Sequence, residues 1–127
     1  MNSELKKVLN YKDLDVWKNG IQIVDVAYEL TQSFPQSERF GLVSQMQRAA
    51  VSIPANIAEG ATRRHTKEFQ QFCSIALGSC AELETLLIIS KRRNYVNEGK
   101  FVFVTKLLET ELRMLMGLIK SLRLKHV

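Results

Sequence analysis

In 127 residues the chain has only two prolines, six glycines, two cysteines and two histidines. So few turn formers argue against a many-stranded β fold, which needs Gly, Asn or Pro at each reversal, and favour long uninterrupted elements. Cys73 and Cys80 lie within an apolar pattern, with no CxxC spacing and no His pair nearby to complete a zinc site. Both read as small reduced core residues, and nothing suggests an oxidising compartment. The N-terminus MNSELKKVLNYKDLDVWK lacks the apolar segment of a signal peptide. No segment approaches the run of about 18 apolar residues that spans a bilayer. A cytoplasmic location without a membrane partner is therefore expected.

Catalytic signatures are also missing. His65 and His126 are the only histidines, and neither stands at a telling spacing from a nucleophile. There is no GxSxG, HExxH, Walker A or GxGxxG pattern. Glu-x-x-His, the motif with which carboxylate bundles hold two metals, does not occur. His65 and Glu68 run in the reverse order and read as a solvated pair beside a turn. The expectation is no catalytic residue, no metal, no cofactor and no enzymatic activity.

What remains is an ordinary globular composition, 46% hydrophobic and 24% charged. Residues 1–127 fit a single domain large enough to bury a core without staples. Apolar residues recur at helical spacing in four stretches, over approximately 13–33, 38–59, 66–93 and 98–122. Their stripes are Leu14, Trp17, Ile21, Val24 and Tyr28; Leu42, Met46, Ala49, Ile53 and Ile57; Phe69, Phe72, Cys73, Ala76, Cys80, Leu83 and Leu87; and Phe101, Val104, Leu108, Leu112, Leu115, Ile119 and Leu122. Pro35 ends the first helix, Gly60 suits a positive-φ stop after the second, Thr66 an N-cap for the third, and Asn94 a left-handed stop after it. Connections this short join antiparallel neighbours, so the sequence predicts an all-α, antiparallel up-down-up-down four-helix bundle, kinked in helix two near Pro54.

Two helices carry more apolar residues than one face can bury. Helix one has a second set, Val16, Ile23, Ala27 and Leu30, and helix four has Phe103, Leu107, Met114 and Leu118. A helix apolar on two sides is either central or at a subunit interface. A four-helix bundle has no central helix, so Val16, Ile23, Ala27 and Leu30 are expected at an oligomer interface.

The chain carries a formal charge of +5, with 18 Lys and Arg against 13 Asp and Glu. Up-down topology gathers Lys6, Lys7, Lys12, Arg63, Arg64, Lys67, Lys120, Arg123 and Lys125 at one end, and Arg39, Lys91, Arg92, Arg93 and Lys100 at the other. Such clustering is either a solvated surface with helix-end cations or a phosphate-binding footprint. For the second, Arg63, Arg64, Lys67, Lys120 and Arg123 are the expected contacts. Few aromatics are exposed to stack bases, Tyr11 and Tyr95 being the candidates, so backbone or shape recognition is expected over sequence-specific binding.

Arg48, Ser52, Asn56 and Glu59 fall along one side of helix two, a quarter-turn from its core stripe. Pro54 has no N–H to bond the Ala50 carbonyl, and Asn56, Ser52 and Arg48 are the local donors that could serve it. The two readings of this side are a polar seam stabilising a kinked helix and a groove for a ligand or partner.

The segments RAAVSIPANIAEG, ATRRHTKEFQQF and IALGSCAELETLL resemble the bacterial proteins encoded in intervening sequences of 23S ribosomal RNA genes. YKDLDVWKNGIQIVDVAYELT resembles that family's opening segment. Carried over, the signature falls on Arg48, Ser52, Pro54, Asn56, Glu59 and Gly60, and on Ala76, Gly78, Ser79, Glu82 and Leu83. The resemblance implies an antiparallel four-helix bundle assembled as a homopentamer. It also extends to the accessory variability protein of diversity-generating retroelements, a basic pentamer that binds nucleic acid and a reverse transcriptase. The expected function is a non-enzymatic oligomeric accessory protein that binds RNA or DNA through basic bundle ends. The alternative is a scaffold for a partner such as a polymerase, without direct nucleic-acid contact.

Overall fold

The structure, a computed structural model, describes residues 10–126; Lys6 and Lys7 lie outside them. A 3₁₀ turn, Tyr11–Asp13, leads into α1, Asp15–Thr31. A second 3₁₀ turn, Gln36–Glu38, and a π-turn, Arg39–Val43, precede α2, Ser44–Ala61. Helices α3, Thr66–Arg92, and α4, Glu98–His126, complete the fold. No strand occurs among the described residues.

Cross-helix pairs fix the antiparallel order. Along α2 and α3, Met46 meets Ser90, Ser52 meets Ser79, and Gly60 meets Phe69 and Phe72, so early residues of one oppose late residues of the other. Between α1 and α2, Gly20 lies against Ile53 and Pro54, while Thr31 accepts from Gln47. Asn19 of α1 bonds Leu107 and Glu111 of α4, closing the ring of four helices.

Local chemistry explains most boundaries. Asn94 takes the left-handed conformation anticipated for it, φ 65°. The Tyr95 and Asn94 N–H groups then donate back to the carbonyls of Ser90 and Lys91, which would otherwise be unpaired at the end of α3. Asn97 Oδ1 accepts from the Lys100 N–H at 2.8 Å and caps α4. At α3 the cap position is His65, and Thr66 is the first helical residue. The regular part of α2 starts at Ser44 rather than near Glu38, because Gly41 leaves helical dihedrals (φ −109°, ψ −109°). Gly60 does not stop α2 through a positive φ, since no glycine has one. The helix runs through it, and its role is close approach: a Cβ there would stand 2.6 Å from Phe72 Cβ and 3.0 Å from Phe69 Cδ1.

The core stripes of α2, α3 and α4 are largely those expected, with Leu42, Phe72, Phe101 and Leu112 half-buried at the edges. On α1 the two faces are exchanged. Val16, Ile23, Ala27 and Leu30 are buried inside the single chain, so they offer no surface to a second subunit. The stripe assigned to the core faces outward instead, with Ile21 37% and Tyr28 45% exposed and Leu14, Trp17 and Val24 half-buried. Gly20 lies on the inward face. It shares the face of Val16, Ile23 and Ala27, and a Cβ on it would lie 3.4 Å from Ile53 and Pro54 and 3.3 Å from Glu111. That face packs closely on both neighbours.

Two glycines of the signature should respond oppositely to alanine. Gly60→Ala forces α2 away from Phe72 and should cost about 1–3 kcal/mol. Gly78 has nothing within 4 Å of its Cβ position, so Gly78→Ala should stabilise by about 0.5–1 kcal/mol through helix propensity. Thermal unfolding followed by circular dichroism checks both signs.

Candidate functional site

Three signature side chains join the α2–α3 seam. Ser52 Oγ and Ser79 Oγ lie 2.8 Å apart, and Asn56 Nδ2 donates to both the carbonyl and the hydroxyl of Ser52 at 2.8 Å. Asn56 therefore serves the carbonyl of Ser52, not that of Ala50. Pro54 is buried in the α2 interior and packs against Gly20. Above the hydroxyl pair, Gln45, Arg48, Ala49 and Glu82 complete an open groove of about 360 Å³. Arg48 and Ser52 also border a second groove, of about 450 Å³, with Tyr28 and Val51 on its α1–α2 side. Arg48 and Glu82 are exposed. The seam can hydrogen-bond a partner, but Ser52 faces another hydroxyl rather than a base, so nothing activates it as a nucleophile.

Glu59 and Gly78 stand apart from the seam. Glu59 turns to Arg63, Oε1 to Nη2 3.3 Å, both half in solvent, where such a pair adds little stability. Gly78 is exposed.

Arg63 stacks over the Phe72 ring, 5.0 Å from its centroid. Arg64 follows in the connection to α3, Lys67 opens α3, and Lys120 and Arg123 lie on the last turns of α4. The antiparallel order brings these positions to the end of the bundle where α1 starts and Lys12 covers Tyr11. All five are exposed, and Arg64, Lys67, Lys120 and Arg123 make no ion pair among the described residues. Of the carboxylates at this end, Asp15 and Glu68 occupy first helical turns, where they complement the positive helix ends, Glu59 pairs with Arg63, and Asp13 is exposed on the 3₁₀ turn.

The aromatics are distributed otherwise than expected. Tyr11 is half-buried against Trp17, ring centroids 5.6 Å apart. Tyr95 is half-buried against Phe34 and donates to Glu38 Oε2 at 3.1 Å; that bond, with burial and the Glu38 charge, raises its pKa. The most exposed ring among the described residues is Phe40, 90% accessible on the π-turn, ahead of Phe103 at 53% and Tyr28 at 45%.

The most unusual polar group is Glu111, 0% exposed within the core. Oε1 accepts from Asn19 Nδ2 at 3.1 Å, and Oε2 has no hydrogen-bond partner among the described residues. Burial pushes its pKa up to about 7, and the Asn19 bond opposes that rise. Burial likewise pushes Cys80 up to about 12, aided by Glu111 and Glu84, and Cys73 to about 12. Neither thiol is a reactive nucleophile. Spacing held the signal for Glu111: it continues the column Val104, Leu108, Leu115, and an acidic type concealed it. Among the described residues no group of three His, Cys, Asp or Glu could hold a metal ion.

Helix α3 is long and apolar enough to cross a membrane by length and composition alone. Its residues 73–90 include charges only at Glu82 and Glu84. Here its apolar face packs between α2 and α4.

The sequence profile of a family described as "23S rRNA-intervening sequence protein" matches residues 12–117. A crystal structure from Bacteroides thetaiotaomicron, titled as a protein with unknown function from the S23 ribosomal protein family, has the same fold. The two share a TM-score of 0.75 and 22% identity, over 83% of this chain and 95% of that one. No curated protein matches the chain.

Glu111 should make stability depend on pH. Its folded pKa of about 7 exceeds the ordinary 4.5, so the folded state holds a proton that the unfolded chain has already lost between those values. Stability is full below pH 4.5 and falls as pH rises through 7, by on the order of 3 kcal/mol in total. Glu111→Gln keeps the shape without the charge. It should flatten this slope and raise the melting temperature at pH 8, as measured by unfolding across pH 4–8.

Proposed function

Because the chain belongs to the 23S rRNA-intervening sequence protein family, we propose that it is a non-enzymatic, oligomeric accessory protein that binds RNA or DNA through the cationic end of its bundle. What supports this is the set of exposed cations that make no ion pair among the described residues, Arg64, Lys67, Lys120 and Arg123, with Arg63 beside them. Guanidinium and ammonium groups so placed neutralise phosphates and release counterions, which makes affinity fall steeply with salt and favours no base sequence. The protein acts in the cytoplasm on this reading.

Oligomerisation belongs to the same proposal, with the interface moved. The outward stripe of α1, led by Ile21 and Tyr28, continues onto Val51 of α2, and this apolar surface suits a second copy. Repeating the cationic end around a ring, a pentamer by family resemblance, multiplies a weak patch into a useful one.

A second reading is a scaffold that docks a protein such as a polymerase in the groove of Arg48, Ser52, Ser79 and Glu82. The joint substitution of Arg63, Arg64 and Lys67 by Ala separates the two. Nucleic-acid binding predicts weaker association with structured RNA and a log–log salt slope shallower by about 2–3. Unchanged RNA binding and intact assembly would leave only the scaffold. Ile21→Asp should shift the assembly toward monomer in light scattering, whereas Val16, buried in the chain, should show its effect in folding.

A further inference from the structure

At the end of the bundle opposite Arg63, the connection Gln32–Val43 carries an aromatic side chain with no internal role. Phe40 is 90% exposed, more than any other large apolar residue described. Leaving such a ring in water forgoes about 1.5–3 kcal/mol of burial, so a packing role cannot account for it. The backbone presents it deliberately. Phe40 stands on the kinked turn Arg39–Val43, beside Gly41 with its non-helical dihedrals.

The pedestal under the ring is braced. Glu38 Oε1 accepts from the Leu42 N–H at 3.4 Å, and Glu38 Oε2 accepts from the Tyr95 hydroxyl at 3.1 Å. Tyr95 in turn packs on the buried Phe34 at 5.4 Å. The turn before α2 is thus tied to the turn before α4.

The surroundings are cationic. Arg39 lies over the Phe40 ring, 5.6 Å from its centroid. Arg92, Arg93 and Lys100 are exposed at the same end. Of the carboxylates here, Glu38 is engaged by Tyr95 and Leu42, Glu98 pairs with Lys91 at 3.5 Å, and Glu29 shares a cleft with Lys100. The residues leading to Phe40, Gln36 to Arg39, are all polar, while the exposed apolar side chains of this half of the bundle, Ile88, Ile89, Val102 and Phe103, lie on α3 and α4. One aromatic face amid guanidinium groups matches an unpaired base joined to its phosphates.

We propose that Phe40, with Arg39, is a stacking platform for an unpaired base of single-stranded nucleic acid, and that Arg92, Arg93 and Lys100 hold the flanking phosphates. This is a second contact surface, at the opposite end from the cations already assigned, and it rests on the nucleic-acid reading only in its class of ligand.

The test is fluorescence anisotropy with a short labelled oligothymidylate and with a matched abasic strand. Phe40→Ala, at a solvent-exposed position, leaves the core untouched and should weaken oligothymidylate binding about tenfold, while abasic binding stays at the parent level. Phe40→Trp should restore affinity and show oligonucleotide quenching beyond that of the single native Trp17. Parent and Phe40→Ala binding the oligothymidylate equally would overturn the platform and leave the Arg63 end standing. Loss in Phe40→Ala, with full retention when Arg63, Arg64 and Lys67 are replaced, would support the platform and overturn that end. A parent protein that binds neither strand at low salt overturns the platform outright.

Discussion

Gly20 lets α1 approach two helices at once, and much of the bundle follows from that contact. A Cβ there would stand 3.4 Å from Ile53 and Pro54 of α2, in van der Waals contact, and 3.3 Å from the Glu111 carboxylate of α4. The face bearing Gly20 turns inward, with Val16, Ile23, Ala27 and Leu30. The same rotation turns Ile21 and Tyr28 outward, which sets where surplus apolar surface is offered. It also seals Glu111 beneath α1, where Asn19 supplies one hydrogen bond and Oε2 is left without one among the described residues. One rotation of α1 thus sets both an outer surface and an inner charge.

The α2–α3 pair follows the same logic with different chemistry. Gly60 permits close approach at one end of the seam, and the Ser52–Ser79 hydroxyl pair fixes register nearer its middle. Between them Pro54 gives up a backbone hydrogen bond but is buried against α1. Small and polar residues are therefore where helices meet closely, and large apolar ones fill the space on either side. The signature residues divide accordingly: Ser52, Asn56 and Ser79 bond the seam, Pro54 and Gly60 pack it, and Arg48 and Glu82 are left for the outside. Such a division suits a scaffold whose working groups lie on bundle ends and grooves.

The charges belong to those ends. Helix termini gather cations by position in the chain, and antiparallel order stacks termini together. At one end Arg63, Arg64, Lys67, Lys120 and Arg123 stand exposed; at the other, Arg39 lies over a presented ring and Arg92, Arg93 and Lys100 are exposed. The fold separates two cationic surfaces by the length of a helix, so an extended strand could touch both while a compact ligand would reach one.

Four helices, their order, the stripes of α2, α3 and α4 and the stop at Asn94 were all legible in the sequence, because each depends on local periodicity or a local cap. The family was legible too, in the segments around Ser52, Arg63 and Ser79. The inward face of α1 was not, since two apolar stripes satisfy the same periodicity and only packing against Ile53, Pro54 and Glu111 chooses between them. The burial of Glu111 was hidden for a related reason: its spacing marked it as core, but its charge marked it as surface, and the Asn19 bond that reconciles them comes from a residue 92 positions away. Exposure of Phe40 depends on a π-turn that no local pattern announced. Local chemistry decided which segments are helices; tertiary contact decided which way they face, because burial is a property of neighbours and not of the residue itself.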